Sequence, residues 1–203
     1  MSQAAHDWDA RYVGSPSLFG EEPNAFLVRR RDRFHPGQRA LVVADGSGRH
    51  GAWLASLGLG VDAFDVSPEA HRQARALDAR RGVSVRREAC GWEDWRQWQD
   101  YDHVVAIFVQ FAAPAERSLM FERMAAALRP DGRLHLLGYA EEQLALGTGG
   151  PKEVDRLYSH DILKSAFPTL GTLEIERYDE VLAEGSAHRG NSALIGYVGR
   201  RES

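Results

Sequence analysis

The sequence contains one cysteine and no long apolar run, and each of these two shortages excludes a class of protein. It also contains only two lysines, so nearly all its positive charge is arginine. Because Cys90 is the only cysteine among 203 residues, an intramolecular disulfide cannot form and a zinc site of several thiolates is excluded. No apolar run reaches the ~18 residues of a transmembrane helix. The amino-terminal stretch MSQAAHDWDARY contains acidic residues and no apolar centre, unlike a signal peptide. These features predict a cytoplasmic protein in a reducing compartment, with no membrane partner.

Positive charge is not in excess either. The chain has 25 lysine and arginine residues against 29 aspartate and glutamate residues, for a net charge of -4. Because nucleic-acid-binding domains usually carry a basic excess, we predict no nucleic-acid partner. The arginine pairs, among them Arg86–Arg87, are interpreted as solvated helix faces and strand ends. The histidines show no H-E-x-x-H spacing and no cluster, so we predict no metal site.

The hydrophobic pattern alternates between periods of about two and 3.6 residues, which predicts alternating strands and helices. Strands are predicted over 39–44, 60–66, 83–88, 102–109, 133–139, 172–183 and 193–200, and helices over 49–58, 68–81, 114–129 and 160–167. This order is typical of an α/β protein with a doubly wound, mostly parallel, seven-stranded Rossmann-like sheet and a carboxyl-terminal antiparallel hairpin. We expect a single domain over residues 1–203, with a cap segment over 1–33 and the core over 34–203.

A glycine-rich motif follows the first predicted strand. The residues Gly46-Ser47-Gly48-Arg49-His50-Gly51 read G-x-G-x-x-G and lead into a predicted helix. Glycine lets the backbone turn sharply and approach a ligand without a Cβ in the way. Asp65 ends the next predicted strand, near the ~20-residue spacing at which an acid binds ribose hydroxyls. The two features together predict a nucleoside-cofactor site at the carboxyl ends of the strands.

Two nucleoside cofactors suit such a site. A dinucleotide such as NAD would place its pyrophosphate at the helix N-terminus, as in an NAD-dependent oxidoreductase. S-adenosylmethionine has no phosphate and carries a cationic sulfonium. Asp45 places negative charge beside the glycines, which suits the cation and repels a pyrophosphate. The terminal hairpin and the lack of a second half-domain also favour S-adenosylmethionine, and the oxidoreductase remains the alternative.

Several stretches, spread over nearly the whole chain, carry a more specific resemblance. They are W-D-A-R-Y (8–12), F-G-E-E-P-N-A-F-L (19–27), G-S-G-R-H (46–50), V-D-A-F-D-V-S-P-E-A (61–70), Y-D-H-V-V-A-I-F-V (101–109), L-R-P-D-G-R-L (128–134), G-T-G-G-P-K (147–152) and H-R-G (188–190). The chain resembles the class I S-adenosylmethionine-dependent methyltransferases, and within them the TehB-type tellurite-resistance and thiopurine methyltransferase-like group. The resemblance implies methyl transfer to a small molecule, with a sulfur or other chalcogen nucleophile expected.

The resemblance also implies roles for individual residues. Cofactor binding is expected at Asp45, Gly46, Ser47, Gly48, Asp65, Val66, Ala89, Cys90, Gly91 and Phe108. Substrate contacts are expected at Trp8, Tyr12, Phe19, Gln110 and Tyr139. His188 and Arg189 are the expected catalytic pair, because arginine can hold an oxyanion through a fork of donors and histidine can move one proton near neutral pH.

Two positions differ from the family pattern. Val42 stands where an acid is common, and Cys90 stands where an aspartate commonly accepts from the adenine amine. These differences leave a methyltransferase-like binding protein of weak activity as a further alternative. Outside the motifs, the spacing of Trp92, Trp95 and Trp98 predicts one buried face of a helix. His103 and His135 lie within strand patterns and are expected to be hydrogen-bonded interior or edge residues of the sheet.

Overall fold

The computed structural model describes residues 3–15 and 18–202, which form α-helices, short 3-10 turns and seven strands. The helices are α1 (Gln3–Val13), α2 (Ala25–Val28), α3 (Arg49–Ser56), α4 (Pro68–Arg81), α5 (Pro114–Ala126), α6 (Gln143–Leu146) and α7 (His160–Ala166), and the 3-10 turns are Arg31–Arg33 and Val154–Arg156. The strands are β1 (Arg39–Val43), β2 (Gly60–Asp65), β3 (Arg86–Ala89), β4 (Tyr101–Ile107), β5 (Leu128–Tyr139), β6 (Leu170–Glu184) and β7 (His188–Arg201). They form one mixed sheet in the order β3-β2-β1-β4-β5-β7-β6, which confirms the predicted α/β Rossmann-like fold.

The chain divides into two compact units. Unit 1 comprises the described parts of Met1–Arg96 together with Glu184–Ala187, and unit 2 comprises Gln97–Ala183 with the described part of His188–Ser203. The prediction of a single domain over residues 1–203 stays a prediction. No helix within the described ranges is long and apolar enough to span a membrane.

Unit 1 contains the three strands whose carboxyl ends carry the glycine-rich motif and Asp65. β1 pairs in parallel with β2, and β2 pairs in parallel with β3. Four of the five residues of β1 are buried, as its apolar sequence predicts. Helix α4 begins and ends as expected: the Ser67 hydroxyl accepts from the Ala70 N–H at 3.0 Å, Pro68 opens the first turn, and Gly82 closes the helix at a φ of 63°.

Unit 2 contains the buried strand β4, which pairs in parallel with β5, while β5 pairs antiparallel with β7. The predicted boundary between helix and strand was wrong here. Helix α5 ends at Ala126 rather than Arg129, and β5 already begins at Leu128. The reason is that Leu128 pairs with Tyr101 of β4, so Pro130-Asp131-Gly132 forms an irregularity inside the strand instead of a turn before it.

The tryptophan pattern was a second error. Residues 91–98 form a turn and irregular backbone instead of a helix. Trp92 and Trp95 are nevertheless buried, and Trp95 stacks on Phe64 with ring centroids 5.3 Å apart. Packing against Phe64 of β2 therefore holds Trp95 in place without helical periodicity. Of the interior and edge positions expected for the two strand histidines, the structure shows the interior one, because His103 and His135 are fully buried. Nδ1 of His103 lies 3.2 Å from Nε2 of His135.

Candidate functional site

Asp65 ties the end of β2 to the glycine-rich turn in unit 1. Its carboxylate accepts from the Gly46 N–H and the Ser67 N–H, both at 2.9 Å. Burial raises the pKa of Asp65 to about 6, and these two backbone donors act in the opposite direction. A carboxylate held in this way by main-chain donors has a fixed orientation, as the recognition of two vicinal hydroxyls requires. Val66, the next residue, is half-buried.

The glycines of the turn make room for protein side chains. A Cβ at Gly46 would collide with the hydroxyl of Tyr12. At Gly48, which has a φ of 93°, a Cβ would lie 2.8 Å from an Arg87 nitrogen. At Gly51 it would collide with the Asp45 carboxylate. The motif thus has the predicted tight backbone, but its last two glycines accommodate a buried ion pair. Ser47, which stands between Gly46 and Gly48, is half-buried.

Asp45 does not present a free carboxylate, which corrects the expectation that its charge is available to a ligand. Its Oδ2 lies 2.6 Å from Nη1 of Arg87, and both its oxygens are 3.2 Å from the Gly51 N–H. Burial raises the pKa of Asp45, and the Arg87 guanidinium opposes that rise. The interpretation of Arg87 as a solvated strand end was also wrong, because its side chain is 3% exposed. The one available signal was its inward register in an alternating strand.

The predicted cap residues lie over this turn within unit 1. Tyr12 is buried, and its ring centroid lies 6.3 Å from that of Trp8 and 6.0 Å from that of Phe19. Burial raises the pKa of Tyr12 well above its usual value, with the carboxylates of Asp65 and Asp45 adding to the rise. The phenol is therefore neutral and sits directly on Gly46.

Asp9 fastens α1 to the start of α4, a role that no sequence pattern indicated. One of its oxygens accepts from the Ser67 hydroxyl at 2.8 Å and from the Glu69 N–H at 2.7 Å. A second contact runs from the Gln73 side-chain amide to the Tyr12 carbonyl at 3.0 Å. An acid at a helix N-terminus meets unpaired N–H groups and the positive end of the helix dipole. Helix α1 is thus anchored at α4, the helix that follows Asp65.

The segment Ala89-Cys90-Gly91 follows β3, with Ala89 exposed and the other two residues half-buried. Burial raises the pKa of the Cys90 thiol to about 12, and the nearby carboxylate of Glu88 adds to the rise. Cys90 is therefore a neutral thiol, a weak donor and a weak acceptor. Val42 is buried inside β1.

In unit 2 the structure brings together three of the predicted residues. The rings of Phe108 and His188 meet edge to face with centroids 4.2 Å apart, and Phe108 lies 4.8 Å from Tyr139. Phe108 has a φ of 59°, which is rare for a residue with a side chain, and it directly follows β4. Strained backbone of this kind concentrates at functional sites. Phe108 is half-buried, whereas Tyr139 and His188 are buried.

Gln110 and Arg189 have different surroundings. The Gln110 side chain accepts from the Tyr139 N–H at 2.6 Å and donates to the carbonyls of Tyr139 and Arg156 at 2.9 and 3.0 Å. Its amide is therefore engaged with the backbone. Arg189 is exposed, and it forms no ion pair with any residue that the structure describes.

Gln143 is a further residue that the sequence did not single out. It is buried, its amide donates to Thr148 Oγ1 and to the Gly149 carbonyl at 3.0 and 3.1 Å, and it accepts from the Ala193 N–H at 2.8 Å. These bonds fix the loop that contains Thr148 and Gly149 against β7. Within the described ranges, no three His, Cys, Asp or Glu residues are grouped to hold a metal ion.

Comparison with known proteins finds a methyltransferase domain in part of the chain. Residues 40–132, which include β1 to β4 and the start of β5, match a family model described as a methyltransferase domain. No protein of curated function matches the chain in sequence. The chain therefore carries a match to a methyltransferase domain and has the fold of the class I S-adenosylmethionine-dependent methyltransferases.

Solved structures share this fold at low sequence identity. One belongs to work on the conversion of a disulfide bond into a thioacetal group during echinomycin biosynthesis, at 20% identity and a TM-score of 0.79, covering 98% of this chain and 92% of that one. TehB from Haemophilus influenzae has 13% identity and a TM-score of 0.72, covering 89% and 63%. The N-methyltransferase NodS from Bradyrhizobium japonicum, in complex with S-adenosyl-L-homocysteine, has 13% identity and a TM-score of 0.72, covering both chains fully.

Proposed function

We propose that this methyltransferase moves a methyl group from S-adenosylmethionine to a small molecule with a sulfur or other chalcogen nucleophile. The observation that carries the cofactor assignment is the Asp65 carboxylate, which two backbone N–H groups orient beside the glycine-rich turn. Such a group suits the ribose hydroxyls, which donate to it. Bound S-adenosylmethionine supplies an electrophilic methyl group, whose bond to sulfonium breaks as the bond to the nucleophile forms.

The other cofactor residues follow from the same placement in unit 1. Gly46, Ser47 and Gly48 form the turn at the end of β1, and we assign them to the methionine part. Val66 follows Asp65, and the segment 89–91 follows β3, so we assign both to the adenine. These assignments rest on the family resemblance together with the parallel order of β1, β2 and β3.

The acceptor assignment rests on the aromatic cluster of unit 2. Phe108, Tyr139 and His188 present rings, and polarisable chalcogen atoms pack favourably against rings. A thiol or selenol needs no strong base, so the absence of a facing carboxylate pair among the predicted residues is no obstacle. His188 would accept one proton, and exposed Arg189 would hold an anionic acceptor. The fold is shared with a protein studied for conversion of a disulfide bond, which also concerns sulfur.

Some observations favour a second candidate, a methyltransferase-like binding protein of weak turnover. Val42 is buried, Asp45 is paired with Arg87, and Cys90 is a neutral thiol. None of them offers the cofactor a free carboxylate. This candidate predicts weak or absent binding of S-adenosylmethionine and little turnover on any acceptor.

A methyl-transfer screen tests the proposal. The wild-type protein is incubated with labelled S-adenosylmethionine and with thiols, selenite, tellurite, amines or phenols, and methylated product is measured. We expect turnover with chalcogen acceptors and a loss of at least tenfold in Arg189→Ala, since one oriented charged contact is worth roughly that much. Arg200→Ala is the matched control, because Arg200 is also an exposed arginine of β7. Turnover confined to amines or phenols would refute the acceptor class, and the absence of turnover together with weak binding of S-adenosylmethionine would favour the second candidate.

A further inference from the structure

The buried guanidinium beneath the glycine-rich turn is the least expected feature of unit 1. Arg87 lies on β3, and its side chain is 3% exposed. Its Nε and Nη2 atoms donate to the two oxygens of Asp78 at 2.7 and 2.9 Å, while Nη1 donates to Asp45 at 2.6 Å. A buried arginine that lacked carboxylate partners would carry a large desolvation cost. The two aspartates supply those partners from α4 and from the residue before Gly46.

The same guanidinium also holds the main chain of the turn. Its Nη2 lies 3.3 Å from the Gly48 carbonyl, and Asp45, which it orients, accepts from the Gly51 N–H. A Cβ at Gly48 would come within 2.8 Å of Nη2, and a Cβ at Gly51 within 3.1 Å. The backbone at Gly48 and at Gly51 therefore lies close against the guanidinium. The shape of the motif and the position of Arg87 determine each other.

We infer that Arg87 is a positioning residue for the cofactor: acting through Asp45 and Gly48, it holds the glycine-rich turn in the conformation that binds S-adenosylmethionine. Asp45 then serves the turn rather than the sulfonium. This inference rests on the proposed cofactor site, since it needs the turn to bind the cofactor. It makes cofactor affinity depend on two side chains that are directed at each other.

The two roles for Asp45 make different predictions for binding. S-adenosylmethionine carries a sulfonium charge, whereas its product S-adenosylhomocysteine has a neutral thioether. If Asp45 were the counter-ion of the sulfonium, Asp45→Asn would weaken the first ligand and spare the second. If Asp45 and Arg87 position the turn, changing either residue weakens both ligands by the same factor.

The experiment measures the Kd of both ligands by calorimetry and the steady-state kinetics of variants. Arg87→Lys keeps the charge but loses the fork that reaches Asp78, Asp45 and Gly48 together. We expect a rise of roughly tenfold in both Kd values and in KM for S-adenosylmethionine, with kcat unchanged at saturation, as for a loosened supporting contact. Arg86→Lys is the matched control, because Arg86 is the adjacent, half-exposed arginine of β3, paired with Asp62. Its Kd values should stay within about twofold.

Three outcomes decide the inference. Equal losses in Arg87→Lys and Asp45→Asn, with a double variant no weaker than the poorer single one, support it. Wild-type affinity in Arg87→Lys, or a loss in Asp45→Asn confined to S-adenosylmethionine, overturns it. If Arg87→Lys does not fold, Asp78→Asn is used, which keeps one acceptor for Arg87 and should weaken both ligands equally but less. Failure of the wild-type protein to bind either ligand would instead refute the cofactor site itself.

Discussion

At the scale of single residues, Asp65 links cofactor binding to pH. Burial raises the pKa of its carboxyl to about 6, so it loses its charge within the range of ordinary buffers. Ribose hydroxyls donate to the carboxylate, and a protonated carboxyl accepts less well. We predict full affinity for S-adenosylhomocysteine above about pH 7, half of it near pH 6, and a fall approaching tenfold per pH unit well below pH 6.

Calorimetric titrations between pH 5 and pH 8 measure this dependence. Asp65→Asn is the control, because it keeps one acceptor oxygen and removes the titrating group. Its affinity should be lower and should vary little with pH. A wild-type profile that is equally flat would show that Asp65 does not carry the ribose contact.

The same carboxyl has an opposite effect on the folded apoprotein. Because its pKa is higher in the folded state than the usual 3.8, the folded protein retains a proton that the unfolded chain releases between about pH 4 and pH 6. The contribution of this group to the unfolding free energy is therefore largest below pH 4 and is lost as the pH rises to 6. The site gives up stability at neutral pH to keep a charged ligand-binding group.

Some residues were predictable because their function is local. Ser67, Pro68 and Gly82 define the ends of α4 by backbone conformation and capping, which neighbouring sequence alone determines. Arg87 and Asp9 were missed because Asp45 lies 42 positions from Arg87, and the partners of Asp9 lie 58 and 60 positions away along the chain. Sequence patterning detects periodicity and motifs, and it does not detect which distant carboxylate an arginine will meet.

At the scale of secondary-structure elements, the attachment of α1 to α4 depends on one carboxylate. Asp9 accepts from the Ser67 hydroxyl and from the Glu69 N–H. Removing an acceptor from a helix N-terminus costs roughly 0.5–2 kcal/mol. We predict that Asp9→Ala lowers the free energy of opening of α1 by about this amount. Hydrogen exchange of the amides of residues 6–13 measures that free energy.

Asp9→Asn separates hydrogen bonding from charge, since its amide oxygen still accepts. Its exchange should lie between those of the wild type and Asp9→Ala. Amides in the second half of α4 serve as an internal reference and should be unchanged in both variants. Exchange of α1 at the wild-type rate in Asp9→Ala would mean that the rings of Trp8, Tyr12 and Phe19 hold the helix without Asp9.

The elements best predicted from sequence are those with a simple pattern. β1 and β2 were found within two residues, because buried parallel strands are short apolar runs between turn residues. The start of β5 was misplaced because pairing with β4 overrides a Pro-Asp-Gly sequence that usually turns. The tryptophan segment was misassigned because a spacing of three also fits irregular chain packed on Phe64.

For the whole molecule, ligand binding should appear as stability. A ligand that binds only the folded state at about 100 times its Kd adds roughly 2.7 kcal/mol to the unfolding free energy. For a chain of this size each kcal/mol raises Tm by about 2–4 °C. We predict such a rise with S-adenosylhomocysteine and none with NAD, measured by differential scanning calorimetry.

Asp65→Ala provides the control, and its Tm should not respond to S-adenosylhomocysteine at the same concentration. A rise in Tm with NAD alone would instead identify a dinucleotide site and favour the alternative, an NAD-dependent oxidoreductase.

The fold itself was predictable because alternating strands and helices admit few arrangements. The acceptor is harder to predict because irregular segments shape its surroundings, and Gln143 organises one of them through contacts up to 50 residues apart.

The short connection between the last two strands has a consequence for synthesis on the ribosome. Glu184 accepts from the Asn24 amide at 2.7 Å and pairs with Arg49 at 2.8 Å, and the Ala187 N–H donates to the Leu18 carbonyl at 3.0 Å. These partners are translated more than 130 residues before Glu184. The region around Leu18 and Asn24 therefore cannot close until residues 184–187 have been synthesised, and a chain released before residue 184 lacks these contacts.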